Sequence, residues 1–152
     1  MKKDTYQNTL KNIAALIAGE QDLIAVMSTI SCELYHAFDQ WNFVGFYRRV
    51  DEKTLKVGPY QGGHGCLTID LDRGVCGKCA REKAVQLEND VQSIPHHIAC
   101  SEDTRAEIVL PVIDSQGEVQ AVLDIDSLTL NDFDEIDEKY LTEVCSYLSQ
   151  LY

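Results

Sequence analysis

Three groups of residues in this 152-residue chain have types and spacings that could carry chemistry. The first is sulfur. Of six cysteines, Cys66, Cys76 and Cys100 fall at the ends of expected elements or in polar loops. The stretch from Asp90 to Pro111 puts Cys100 in a polar loop, with His96 and His97 just before it and a strand-like run opening at Glu107 behind it. A cysteine kept only for packing sits more often among apolar neighbours, so Cys100 is the candidate nucleophile. Attack on an electrophilic sulfur needs a thiolate, and turnover needs a second thiol that reaches the oxidised first; Cys66 and Cys76 are the candidates for it. Cys76 and Cys79 also form a Cys-x-x-Cys pair at an expected helix start, where the dipole lowers thiol pKa. His96, His97 and Arg105 could polarise Cys100, although loop packing is the simpler reading of both histidines.

The second group is acidic. Leu123-Asp124-Ile125-Asp126-Ser127 puts two carboxylates on one face of a strand, because side chains alternate. Glu107 lies on the neighbouring strand. A two-residue turn places it opposite Asp124, and a bulge at Gly117 shifts that pairing by one. Three converging acids repel one another and favour a bound ammonium or cation, whereas a solvated strand face is the plain alternative. The third group is aromatic: Trp41, Phe43 and Tyr47 share parity along one strand, with Tyr60 on the next. Such rings pack cores more often than they hold ligands, but one beside an ammonium gives a cation–π contact of about 0.5–2 kcal/mol. Zinc bound by Cys76 and Cys79 with Cys66 or Cys100 and a histidine (His64, His96 or His97) is a weaker reading, since a single Cys-x-x-Cys without a partner pair is a poor signal.

The elements that must position these residues follow from periodicity. Tyr6, Leu10, Ile13 and Ile17 repeat at helical spacing over residues 4–18, with Gly19 as the stop. A second helix starts near Asp22, its cap. Residues 43–50 and 55–61 read as a hairpin around Asp51-Glu52-Lys53-Thr54, and 66–71 as a third strand. A short helix is expected over 74–83, beginning near Cys76, then a fourth strand at 84–87. Residues 107–113 and 118–126 are strands joined by a turn at Asp114-Ser115-Gln116-Gly117. The last helix spans 132–151, capped by Asn131 or Asp132. Cys32 and Cys145 fall in helical patterns and read as packing. Successive turn-linked strands predict an α+β layer, an antiparallel sheet with helices on one face.

Composition sets limits. The length suits one domain over residues 1–152, and 45% apolar with 25% charged residues is ordinary for a globular chain. A net charge of −12 disfavours nucleic acid and anionic membrane as partners. No apolar run is long enough to span a membrane, and no secretory signal is apparent, so a cytoplasmic protein is expected. The apolar stripes of the first and last helices could support a homodimer.

With these residues in view, a family resemblance appears. Val44-Gly45-Phe46-Tyr47, Gly58-Pro59-Tyr60-Gln61-Gly62, Gly74-Val75-Cys76-Gly77, His97-Ile98-Ala99-Cys100, Glu107-Ile108-Val109-Leu110-Pro111 and Leu123-Asp124-Ile125-Asp126-Ser127 resemble, in order, the free methionine-(R)-sulfoxide reductases, which are GAF-domain enzymes. The resemblance spans nearly the whole chain. It implies a GAF-like six-stranded antiparallel sheet with flanking helices, and reduction of free methionine-(R)-sulfoxide with thioredoxin as reductant and no cofactor. It implies that Cys100 attacks the sulfoxide sulfur and becomes a sulfenic acid, that Cys66 resolves it as a disulfide and that Cys76 assists recycling. Glu107, Asp124 and Asp126 match acids that hold the substrate and help protonate its oxygen, and Tyr47 matches a pocket aromatic. Phe43 stands where the family usually has tryptophan, with Trp41 on the same expected face as its substitute. Ser101 replaces an aspartate, Ala106 a serine and His96 a common glycine, and Cys79 is an extra thiol. A non-catalytic GAF module that senses a small molecule or an oxidant is the alternative.

Overall fold

Alternating side chains give the central strands two unlike faces. In the computed structural model of the protein, which describes residues 1–95 and 101–152, β1 (Trp41–Arg49) sends Val44 and Phe46 to one side and Phe43 and Tyr47 to the other. β5 (Ala106–Ile113) and β6 (Val119–Ser127) divide the same way. Ile108, Leu110, Leu123 and Ile125 join Val44 and Phe46, whereas Val109 and Val122 join Phe43 and Tyr47. With β2 (Thr54–Gly62), β3 (Thr68–Asp70) and β4 (Gln86–Glu88), these strands form one antiparallel sheet in the order β3-β2-β1-β6-β5-β4.

Three helices cover the first face: α1 (Lys2–Leu16), α2 (Leu23–Ala37) and α4 (Glu135–Ser149). Their apolar stripes, such as Tyr6, Leu10 and Ile13 on α1 and Tyr140, Leu141, Val144 and Leu148 on α4, enter the larger core. The fourth helix, α3 (Gly74–Glu82), lies on the other face, which corrects the expectation that all helices share one side. Its stripe of Val75, Cys76, Cys79 and Ala80 needs an apolar surface, and Phe43, Tyr47, Val109 and Val122 provide one. Asp22 caps α2 as expected, accepting from the Ala25 N–H at 2.9 Å. The cap of α4 is Asp134, not Asn131 or Asp132. A capping box with Asp137 fixes it there, while Asp132 instead accepts from the Trp41 indole at 3.1 Å. No described helix is long and apolar enough to cross a membrane.

Register sets the site. Glu107 pairs with Asp126, and Val109 with Asp124. The pairing is displaced from both expected alternatives, because the connection between the strands is longer than a two-residue turn and the ladder shifts again between Val112 and Ile113. Direction is kept, so Glu107, Asp124 and Asp126 still share one face.

Asp137, almost fully buried, ties the first helix to the last. It accepts from Lys2 Nζ at 2.7 Å, from the Tyr6 hydroxyl at 2.5 Å and from the Asp134 N–H at 2.9 Å. Asp137→Ala is therefore expected to cost about 2–3 kcal/mol, because it strands a buried hydroxyl and a cap amide together. Chemical denaturation checks this; a loss under about 0.5 kcal/mol would show that the contact carries little of the fold.

Candidate functional site

The face that carries α3 also carries the acids. On β6, Asp124 and Asp126 flank Ile125, which is buried toward the helices, and on β5 Glu107 precedes Ile108, buried the same way. Cross-strand pairing then brings the three carboxyl groups together across two adjacent strands. Glu107 and Asp124 are almost fully buried. Glu107 hydrogen-bonds the side chains of both aspartates, contacts that carboxyl groups make only when at least one proton is shared among them. Burial, with the Asp126 charge added, pushes Glu107 up to about 8. Asp126 is held well above the usual carboxylate range by burial and then by Asp124. Its Oδ1 is buried without a hydrogen-bond partner among the described residues.

These acids floor a cavity enclosing about 440 Å³ of space, solvent mouth included. Phe43 and Tyr47 form one wall, the start of α3 with Cys76 a second, and the segment from His64 to Cys66 a third. Among the described lining residues there is no lysine or arginine, and His64 is the one basic side chain. The wall is a ring stack: Phe43 lies 5.3 Å from Tyr60 and 6.2 Å from Tyr47, centroid to centroid, with planes within 23°. Gly45 permits it, since a Cβ there would meet the Tyr60 Cβ at 2.3 Å and the Phe43 ring at 3.0 Å.

Of the three rings expected to share a face, Phe43 and Tyr47 line the cavity and Trp41 does not. β1 carries a bulge, for Trp41 pairs with Ser127 and Phe43 with Asp126, so two steps on β1 match one on β6. The extra residue, Asn42, reverses the parity. Trp41 consequently faces the large core, stacked on Phe38 at 4.0 Å. It is not part of the cavity, and shared parity with Phe43 was the wrong premise.

Of the thiols, Cys66 and Cys76 line the cavity. Cys66 is disulfide-bonded, whereas Cys32, Cys76, Cys79 and Cys145 are free thiols. The helix begins at Gly74, two residues before Cys76, yet the expected lowering of the Cys-x-x-Cys pKa values is reversed. Burial, followed by Asp124 and Glu107, holds Cys76 well above its ordinary value, and Cys79 is raised chiefly by burial. Desolvation and nearby negative charge outweigh the partial charge of a helix end. Cys79 packs in the apolar layer beside α3 and does not line the cavity. One ligand atom from each of Cys76, Glu107 and Asp124 lies within 4.8 Å of the others, a set that could take a cation; it does not include the Cys-x-x-Cys pair that the zinc reading required. Cys100, His96 and His97 lie outside the described residues.

Sequence reasoning missed Thr104, which is buried at the cavity and accepts from Asn42 Nδ2 at 3.0 Å, and it missed Gly65 against the aromatic wall. No periodic signal marks either, because both belong to irregular backbone.

Comparison with known proteins agrees with this architecture. The GAF domain family matches residues 20–151. Protein YtsP of Bacillus subtilis is 42% identical over 150 residues, covering 98% of this chain and 91% of the relative. The free methionine-R-sulfoxide reductase of Escherichia coli is 35% identical, covering 99% of this chain and 90% of that protein. The X-ray structure of free methionine-R-sulfoxide reductase from Neisseria meningitidis in complex with its substrate is 38% identical, superposes with a TM-score of 0.93, and is covered over 99% of this chain and 90% of that one. An acid-floored cavity on the α3 face of a six-stranded sheet, carried by a chain this similar to both reductases along its whole length, identifies the protein as a member of the GAF-domain family, closely related to the free methionine-R-sulfoxide reductases.

Proposed function

We propose that the protein reduces free methionine-(R)-sulfoxide to methionine. The observation that carries this reading is the buried trio of Glu107, Asp124 and Asp126 in one cavity with an aromatic wall and two cysteines. A small zwitterion with an ammonium at one end and a polar S=O at the other suits that chemistry. The similar reductases support the choice of substrate.

In this reading the ionised share of the trio clasps the ammonium, and the share that keeps its proton, centred on Glu107, donates it to the sulfoxide oxygen. Cys100 attacks the sulfoxide sulfur. The S=O oxygen moves to the cysteine, methionine leaves with the electron pair, and Cys100 becomes a sulfenic acid. Cys66 then attacks that sulfur, a disulfide forms and water departs. Two electrons and two protons from a dithiol such as thioredoxin restore both thiols. Cys76, kept protonated by its surroundings, serves as a later exchange partner in recycling. Phe43 and Tyr47 give the apolar end of the substrate a ring surface.

Cys100→Ser is expected to abolish methionine formation with either thioredoxin or dithiothreitol, measured by amino-acid analysis; a fully active variant would end this reading. The acid also sets a pH dependence. Glu107 holds its proton below about pH 8 and loses it above, so kcat/KM is expected to fall as pH rises through that value. Glu107→Gln is expected to lower kcat/KM by roughly 10²-fold, the usual weight of a general acid, and to flatten the alkaline limb. An unchanged limb in the variant would assign the proton elsewhere. Peptide-bound methionine sulfoxide, which lacks the ammonium, should react far more slowly than the free amino acid, and equal rates would contradict the role given to the trio.

A further inference from the structure

We infer that Tyr47 is a positioning residue for Cys66: its hydroxyl latches the connection between β2 and β3 so that the Cys66 sulfur is delivered to the cavity. The inference rests on the reading of Cys66 as the resolving thiol. The Cys66 N–H donates to the Tyr47 hydroxyl oxygen at 3.2 Å, a contact between a strand residue at the centre of the sheet and a residue in irregular backbone 19 positions later. Tyr47 is almost fully buried, so its oxygen is fixed by the sheet and by packing rather than by solvent.

A second contact holds the same connection. A Cβ built on Gly65 would lie 3.0 Å from the Tyr47 hydroxyl and 3.1 Å from the Phe43 ring. Residue 65 therefore rests directly on the two rings, and a side chain there would make the rings or the backbone give by a few tenths of an ångström. The ends of the connection are tied to the sheet, where the Gly63 N–H donates to the Asn42 carbonyl at 3.0 Å and the Leu67 carbonyl accepts from the Val57 N–H at 3.1 Å; between them the Cys66 sulfur is held in a disulfide and the Cys66 backbone by the Tyr47 hydroxyl. The phenol keeps its proton at any working pH, because burial and then the Asp124 charge raise its pKa. The hydroxyl hydrogen is thus not spent on ionisation, and the oxygen remains a neutral acceptor for the Cys66 amide.

The chemical consequence falls on one step. Disulfide formation needs the Cys66 sulfur in line with the oxidised partner sulfur, and that alignment is an entropic demand on the connection. Losing the hydroxyl leaves the ring and the cavity wall in place but frees the amide.

The test separates release of methionine from resolution. Wild type, Tyr47→Phe and Gly65→Ala are mixed with methionine-(R)-sulfoxide in single turnover, sulfenic acid is trapped with dimedone, and disulfide formation is followed by loss of free thiol. Tyr47→Phe is expected to slow disulfide formation about tenfold, the weight of one buried hydrogen bond, with a smaller effect on methionine release. Gly65→Ala should do the same, since its methyl group pushes the connection off the rings. Both should be slow with thioredoxin and largely rescued by dithiothreitol, which reduces the sulfenic acid directly. In a Cys66→Ser background neither substitution should slow thioredoxin-supported turnover further, as expected for residues acting through the same thiol. Equal slowing of release and resolution, or full additivity with Cys66→Ser, would overturn the latch. If Cys66→Ser itself leaves resolution untouched, the role of Cys66 fails first; if Cys66→Ser slows it and Tyr47→Phe does not, only the latch fails.

Discussion

Three carboxyl groups are packed against one another below the aromatic wall, and the rest of the site is arranged around that repulsion. Glu107, Asp124 and Asp126 are drawn together by strand pairing that is itself enforced from the opposite face, where Ile108, Leu123 and Ile125 are buried against α1, α2 and α4. The apolar core thus holds the acids closer than their charges would choose. The unfavourable charge is relieved by retained protons, which is why Glu107 and Asp126 titrate high. A ligand that brings a positive group relieves the same stress, and the fold stores a preference for such a ligand.

The cysteines of the cavity are placed by different elements from the acids. Cys76 comes from the first turn of α3, and Cys66 from the irregular connection after β2. That division matters physically. A helix on a sheet is a stiff support, and burial there raises the pKa of the Cys76 thiol. The connection at residues 63–67 is tied to the sheet at Gly63 and Leu67, rests on the Phe43 and Tyr47 rings through Gly65, and is held at Cys66 by the Tyr47 hydroxyl and a disulfide. The aromatic wall has two tasks in this arrangement, facing the cavity and carrying a backbone segment.

Much of this was legible from sequence, and the parts that were not share a cause. The common face of Asp124 and Asp126 follows from alternation alone, and Asp22 was readable as a cap because one side chain in one turn settles it. The partner of Asp126 was not readable, because two irregularities between β5 and β6 shift the ladder, and shifts depend on backbone closure that residue types do not encode. Trp41 failed for a related reason: one inserted residue at Asn42 reverses its face, and a tryptophan two positions before a phenylalanine looks the same with or without it. The cap of α4 moved to Asp134 because several acids in a row could all cap, and only the capping box with Asp137 selects one. The raised Cys76 pKa was hidden because helix position is local, whereas the burial and the neighbouring acids that outweigh it come from other strands.

The central claim is that the ionised members of the carboxyl trio clasp an ammonium while Glu107 keeps a proton for the sulfoxide oxygen. The most direct measurement is a pH titration of the side-chain carboxyl carbons by NMR, with selective ¹³C labelling of glutamate and aspartate and Glu107→Gln for assignment, with and without free methionine sulfoxide. Without ligand the Glu107 carbon should titrate with a midpoint near 8 and the Asp126 carbon well above the ordinary aspartate range; bound amino acid should draw the Asp126 midpoint down as its ammonium takes the place of that proton, while Glu107 keeps its own at neutral pH. If all three carboxyl groups instead ionise in the ordinary acid range and do not respond to the amino acid, the trio is not a receptacle for an ammonium and the account is wrong at its base.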